Sequence, residues 1–425
     1  MFDLCLFDLD NTLVRTNDLE DIRPKGVGKQ GDIAYAAELR QRFGDPALRY
    51  IYAPEHLNAL KARWPDMKMG IFTRAPRAYA DVVVGSAYPH FKWDVGVCYD
   101  DVPPGLWKPN GEGIRMAMRS MGIVAPQSVV MVGDESADVK AAYNAGCYTV
   151  LDKAAWPDDW RQWDNTKHWD ALKLLPDAVL GFPKTLHQVL EDIEAYALPL
   201  EWEFNNSLGR ARHPSFELIN HFYPHEMGEG KVPVKISVAG RHFSEYASLQ
   251  SRRAWHALTQ SLHANKTSQV FPVQWCNTVN AFVRDSFPAL LLLNQSVTVA
   301  AIPARPTRPP RLQYFVEQLR QYFLQRPALG PNHGAVQFSN ALLSYRDGVK
   351  SQSGDHLNRL QRFENVRDHL VVTDPANVRG RDFVIIDDVC TTGATLMYAH
   401  KRLKEAGARN VVLLALSKNV SDVLP

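Results

Sequence analysis

Leu4-Cys5-Leu6-Phe7-Asp8-Leu9-Asp10-Asn11-Thr12 decides how this chain is read. A continuous apolar run that ends at two carboxylates reads as a strand buried on both faces, with Asp8 and Asp10 at its carboxyl end. Runs of the same kind recur at Met69–Thr73, Val95–Tyr99, Val129–Val132 and Tyr148–Leu151. Helical patterns at Pro54–Arg63, Gly111–Met121 and Ala137–Ala145 lie between them, as in a parallel sheet covered on both faces. Ligands of such sheets bind beyond the carboxyl ends of the strands. Two acids placed there repel each other unless a cation sits between them or one is protonated.

Three further pieces follow in order. Gly70-Ile71-Phe72-Thr73 puts a hydroxyl where a strand stops. Trp107-Lys108-Pro109 puts a lone lysine ahead of a helix. Val129-Val130-Met131-Val132-Gly133-Asp134-Glu135-Ser136-Ala137-Asp138 puts two acids, four apart, behind a buried strand. As a set, over about residues 1–155, they resemble the haloacid dehalogenase (HAD) superfamily, and the second acid followed by Asn-Thr resembles its phosphatases. The resemblance implies Asp8 as nucleophile, forming an aspartyl-phosphate that water later hydrolyses. It implies Asp10 as general acid and then base, and Thr73 and Lys108 as holders of the phosphoryl oxygens. It implies Mg²⁺ held by Asp8, the Asp10 carbonyl and Asp134, with Asp138 in support. The stretch between Asp10 and Thr73 is too short for a large cap domain, and Ile33–Phe43 reads as a small helical lid.

Near the other end stands Phe383-Val384-Ile385-Ile386-Asp387-Asp388-Val389-Cys390-Thr391-Thr392-Gly393-Ala394-Thr395. A Thr/Gly turn that opens a helix offers backbone N–H groups and hydroxyls to a phosphate. Gly393 allows close approach. Asp387 and Asp388, just behind, would accept bonds from ribose hydroxyls. Phosphate on the turn and ribose on the acids describe a ribose 5-phosphate group. The stretch resembles the phosphoribosyl-diphosphate (PRPP) motif of type I phosphoribosyltransferases. Val299–Pro306, with Ala304 and Arg305, resembles their diphosphate loop. Ser344-Tyr345-Arg346 with Lys350, Gln352, Arg362 and Asn365 echoes the basic flexible loop of the ComF-like branch, whose frequent Cys-rich zinc segment is absent. The resemblance implies cations closing over a leaving diphosphate, with Mg²⁺ on that diphosphate.

The expected fold is α/β, two Rossmann-like three-layer domains. The expected boundaries are 1–190 for the HAD-like phosphatase domain, 191–295 for a connector and transferase hood, and 296–425 for the transferase core. A length of 425 residues accommodates this. In the core, strands are expected at Val297–Ile302, Asp382–Ile386 and Asn410–Leu416, with helices at Arg311–Leu324 and Ala394–Ala406. A connector over roughly Gly181–Pro199 closes the first domain. Residues 200–290 read poorly. Val232–Val238 looks like a strand and Tyr246–His263 like one helix, while His213, His221, His225 and His242 lack carboxylates at metal-ligand spacing. Trp156, Trp160 and Trp163 share a helical spacing that reads as a packing face rather than a binding platform.

Charge excludes several classes. Lys plus Arg is 48 and Asp plus Glu 46, a net of +2, so nucleic acid is not an expected partner. Residues 296–425 nevertheless hold 17 basic and 11 acidic side chains, against 31 and 35 in the rest. That split places cations where a polyphosphate would bind. Acids near Met1 argue against a signal peptide. The apolar run Ala289–Leu293 is far short of the ~20 residues of a membrane span. Five scattered cysteines without a C-x-x-C pair indicate reduced thiols and a cytoplasmic location. The expected function is a bifunctional enzyme acting on a phosphorylated small-molecule substrate and on PRPP. The alternative is a PRPP-sensing accessory protein, competence- or stress-associated, that binds without catalysis. The oligomeric state is left open, with a homodimer as one option.

Overall fold

The computed structural model describes residues 1–162, 166–206, 212–219, 225–228, 234–288, 296–306, 308–325, 335–350 and 357–421. The chain divides into two compact units. One comprises Met1–Ala197 with Phe243–His256 and Ser421–Pro425; the other comprises Leu198–His242 with Ala257–Val420.

The first unit carries strands β1 (Leu4–Phe7), β2 (Lys68–Phe72), β3 (Val95–Val97), β4 (Val129–Gly133), β5 (Tyr148–Asp152) and β6 (Ala178–Leu180). They pair in parallel in the order β3-β2-β1-β4-β5-β6. Its helices are α1 (Ile33–Phe43), α2 (Pro54–Arg63), α3 (Arg77–Ala87), α4 (Glu112–Ser120), α5 (Ser136–Ala145), α6 (Thr166–Leu172) and α7 (Leu186–Glu191). Alternation along the strands feeds two cores. Cys5, Phe7, Val130 and Val132 face one with α1–α3 and α7, while Leu4, Leu6, Val129 and Met131 face the other with α4 and α5. The chain leaves β1 toward β2 on one side and returns to β4 on the other, so the topological switch point lies between β1 and β4.

The expected lid forms over Ile33–Phe43, but Tyr35, Leu39 and Phe43 bury it in the core. The turns before it, through Glu20 and Arg23, reach the site instead. Trp156 and Trp160 lie on turns rather than one helix, in edge contact at 5.1 Å. Trp163 lies outside the described residues.

In the second half the elements are α8 (Pro199–Asn205), β7 (Glu217–Ile219), β8 (Ile236–Val238), β9 (Arg241–Phe243), α9 (Gln250–Arg253, in the first unit), α10 (Ala257–Ala264), α11 (Val273–Ser286), β10 (Val297–Ala301), α12 (Arg311–Gln325), β11 (Val336–Ser339), β12 (Leu343–Tyr345), α13 (Arg359–His369), β13 (Leu370–Val372), β14 (Asp382–Cys390), α14 (Ala394–Glu405) and β15 (Asn410–Val420). Among the described residues the second sheet runs β11-β10-β14-β15-β8-β7, with β9 also on β15. The pairs along β11-β10-β14-β15-β8 are parallel and β7–β8 is antiparallel. β12 and β13 form a separate antiparallel ribbon. Its switch point lies between β10 and β14.

Leu200, Leu258, Leu262, Trp275 and Phe282 share one core with Val299, Ile386 and Leu414, so α8, α10 and α11 are a helical layer of the second sheet. The expected single helix Tyr246–His263 is broken between Arg253 and Ala257. Arg252 packs in the first unit, while Leu258 and Leu262 pack in the second.

Candidate functional site

At the first switch point Asp8 extends β1, its N–H bonded to the Val132 carbonyl at 2.8 Å. Lys108 reaches over from the turn ahead of α4 and donates to Asp8 Oδ1 at 2.5 Å and to Asp138 Oδ1 at 2.8 Å. Its ammonium also lies 4.6 Å from the centre of the Phe72 ring, a cation–π contact from below. Asp134 directly follows β4; its carboxylate accepts from the Thr12 hydroxyl at 3.3 Å and its carbonyl from the Trp156 indole at 2.9 Å. Oxygens of Asp8, Asp134 and Asp138 lie within 4.8 Å of one another, all three residues buried. Asp10 is held apart from this cluster. The hydroxyls of Thr16 and Tyr79 donate to its Oδ1 at 2.6 and 2.8 Å, and Arg23 Nη1 stands 3.3 Å from Oδ2. Thr73 is buried at the end of β2, its hydroxyl accepting from the Ala75 N–H at 3.1 Å. These groups border a cleft of about 100 Å³ that Asn11, Glu20, Arg74, Glu135 and Lys167 also line.

Among the described residues, the four carboxylates Asp8, Asp10, Asp134 and Asp138 form ion pairs with Lys108 and Arg23, and Lys167 is a further cation acting on Asp134. Burial pushes the Asp8 carboxyl up to about 7; Lys108 opposes the shift, while Asp138 and Asp10 add to it. Asp134 is driven well above the carboxylate range, first by burial and then by Asp138 and Asp8. Burial works against the charged form of Lys108, yet Asp138 and Asp8 hold it above its ordinary value. The donor set fits a hard divalent cation, which would relieve the repulsion among Asp8, Asp134 and Asp138.

At the second switch point Asp387 and Asp388 stand near the end of β14, beside the loop that follows β10. Burial raises the Asp387 carboxyl to about 7, against the pull of Arg311 and Arg305. Arg311, first residue of α12, forms an ion pair with Asp388. The Tyr345 hydroxyl is hydrogen-bonded to Thr395 and Arg305, and burial lifts it to about 12. Thr392 accepts from the Ala394 N–H at 3.4 Å. Gly393 opens α14 at φ +81°, and a Cβ there would come within 3.0 Å of Ile236. Lys418 of β15 donates to the Thr391 carbonyl at 3.1 Å.

All six residues named for the first site, Asp8, Asp10, Thr73, Lys108, Asp134 and Asp138, meet in or under one cleft. In the second, Arg305 meets Asp387, and Thr391–Thr395 adjoin them, with Ala304 in the loop beside Arg305. Arg346 and Lys350 are exposed, and Arg362 lies on α13, bonded to the Leu357 carbonyl. Among the described residues no hydrogen bond or ion pair joins these three to Asp387, Asp388 or the turn. Gln352 lies outside the described residues. Sequence reasoning missed Arg23, Tyr79 and Arg311. The first two reach Asp10 from a turn and a helix that carry no motif. Arg311 had a signal, an arginine that opens a helix just past the diphosphate-like loop.

Two α/β units, each with acids and cations gathered at a switch point, define a chain built to handle phosphorylated compounds. A family model described as haloacid dehalogenase-like hydrolase matches residues 23–146, and one described as phosphoribosyl transferase domain matches residues 329–424. The chain thus carries a HAD-like hydrolase domain and a phosphoribosyltransferase domain, which are the domains of an enzyme. No curated protein matches it. Similar solved structures include a putative haloacid dehalogenase-like hydrolase from Bacteroides fragilis, at 18% identity over 44% of this chain and 100% of the other, TM-score 0.31. A putative beta-phosphoglucomutase from Thermotoga maritima is 19% identical over 45% of this chain and 99% of its own, TM-score 0.33. A predicted phosphoglycolate phosphatase from Haemophilus somnus is 17% identical over 44% and 97%, TM-score 0.31.

Proposed function

We propose that the protein is a two-headed enzyme, a Mg²⁺-dependent phosphomonoester hydrolase joined to a PRPP-dependent phosphoribosyltransferase of ComF-like type. The observation that carries the first head is Lys108 bridging Asp8 and Asp138 beside Asp134, all buried at one switch point. Asp8 attacks phosphorus; the bond to the leaving oxygen breaks and that oxygen takes a proton from Asp10. Water, deprotonated by Asp10, then attacks the aspartyl-phosphate and returns Asp8 as carboxylate. Thr73 and Lys108 steady the phosphoryl oxygens. Asp8, Asp134 and Asp138 would hold Mg²⁺, with the Asp10 carbonyl as a further oxygen. When bound, the ion supplies charge neutralisation for the transferring phosphoryl group.

In the second head Asp387 and Asp388 accept the ribose hydroxyls and Thr391–Thr395 cradle the 5-phosphate. Ala304 and Arg305 meet the diphosphate, and Arg346, Lys350 and Arg362 neutralise it as it leaves. The phosphorylated transfer product is the natural substrate of the hydrolase head. Five buried, unpaired cysteines support a reducing, cytoplasmic setting, and no described helix is long and apolar enough to cross a membrane. Asp8→Asn should lower phosphate release by at least about 10³-fold while PRPP binding, followed by calorimetry, stays intact. Loss of both together would mean one composite site and would contradict the two-headed reading.

A further inference from the structure

The segment Phe243–His256 lies in sequence between two stretches of the second unit, yet it packs as part of the first. Its centre is Arg252, 1% exposed. The guanidinium donates to the Cys147 carbonyl at 2.7 Å and to Asp177 Oδ1 at 2.5 Å, and Asp177 Oδ2 accepts from the Thr149 N–H of β5 at 2.9 Å. Four rings surround it: Trp255 at 4.1 Å, Tyr148 at 5.0 Å, Phe243 at 5.4 Å and Tyr143 at 5.7 Å from their centres. Trp255 donates to the Gly146 carbonyl at 2.9 Å. Gly146 has φ +85°, and a Cβ there would come within 2.7 Å of Ser251, so glycine alone lets the strap lie this close.

Outside the strap itself, these contacts fall at the end of α5, on β5, and on Asp177 just before β6. α5 begins two residues after Asp134 and carries Asp138 in its first turn. Within the last turn Arg115 already donates to the Asn144 carbonyl at 2.9 Å, and Arg252 adds a second cation just past the helix end, on the Cys147 carbonyl. We propose that Phe243–His256 is a strap belonging to the hydrolase head, and that Arg252 is a positioning residue. It fixes the far end of α5 and thereby the placement of Asp134 and Asp138. The hydrolase head is then not complete at residue 197; its last piece is encoded within the transferase half. The proposal rests on the phosphatase reading for its effect on catalysis, whereas the anchoring of α5 is independent of it.

The test uses the full chain with Arg252→Met and Arg252→Lys. Amide exchange should speed up in 136–147 and 247–256 of Arg252→Met and stay unchanged in β14 and α14. With p-nitrophenyl phosphate, kcat should fall on the order of tenfold with little change in KM. The Mg²⁺ midpoint, from calorimetry, should move to higher concentration, and Arg252→Lys should recover part of both. Should Arg252→Met not fold, Trp255→Phe removes the bond to Gly146 and shrinks the ring nearest Arg252, and it should shift the same readouts in the same direction. A folded variant with unchanged exchange in α5, kcat and Mg²⁺ midpoint would overturn the strap. Wild-type protein that releases no phosphate under any divalent cation would instead sink the phosphatase reading, and the exchange of α5 would still decide the anchoring.

Discussion

At the scale of single residues, the hydrolase site separates two carboxylates by their surroundings. Asp8 shares a buried cluster with Lys108 and two further acids, whereas Asp10, lining the same cleft, sits among hydroxyls and Arg23. That division suits one acid as nucleophile and the other as proton carrier. Asp10→Asn should therefore lower kcat by about 10²–10⁴-fold, and Tyr79→Phe, which removes one donor from Asp10, by roughly tenfold. Steady-state phosphate release measures both, and wild-type turnover in Asp10→Asn would rule out its role. In the other head, Arg311 holds Asp388 and lies close enough to oppose the upward shift of Asp387. A substrate rich in phosphate cannot approach two bare acids. Arg311→Met should weaken PRPP binding by about tenfold or more, and unchanged affinity in a calorimetric titration would show that the arginine has no part in the site.

At the scale of elements, glycines set how closely helices approach the catalytic strands. A Cβ on Gly113 of α4 would sit 2.1 Å from the Phe72 ring, the ring that supports Lys108. One on Gly133 would sit 2.2 Å from Asp138 Cγ. Gly113→Ala should cost about 1–3 kcal/mol by overpacking and also reduce turnover through Lys108. A melting curve and a rate together check this; normal values of both would remove Phe72 from the account. The strands that carry Asp8, Thr73 and Asp134 were legible because apolar runs between turn residues leave little choice of structure. Their convergence was legible because parallel strands present the same ends to the same side. The middle was not. Tyr246–His263 has helical periodicity throughout, and periodicity counts apolar residues without saying which body they enter. Arg252 was opaque for the same reason, since an arginine in sequence reads as surface and here it is enclosed by aromatic rings. Ile33–Phe43 was found as a helix, but its role changed, because Tyr35, Leu39 and Phe43 turn it into the core.

At the scale of the whole molecule, buried acids make stability depend on pH and on a cation. The folded-state value of Asp8, about 7, lies above its ordinary 3.8, and that of Asp134 is raised as well. The native protein therefore holds extra protons between about pH 4 and pH 7. Without a divalent cation its stability should be greatest at the acid side of that window and decline as pH rises through 7. Mg²⁺ should raise the melting temperature more at pH 8 than at pH 5, because it replaces those protons. Equal shifts at both pH values would argue that the acids do not form the metal site.

The chain's charge distribution fits the same picture. The basic excess in residues 296–425 includes Arg305 and Arg311 beside Asp387 and Asp388, and the acidic remainder includes the cluster around Lys108. The central claim is that Asp8 carries the phosphoryl group. It is tested most directly by acid-quenching the protein during turnover of a phosphomonoester with Mg²⁺ and mapping the modification by mass spectrometry. One phosphoryl group is expected on the peptide bearing Asp8, absent from Asp8→Asn. Sustained phosphate release in Asp8→Asn, or a phosphoryl group on another residue, would contradict it.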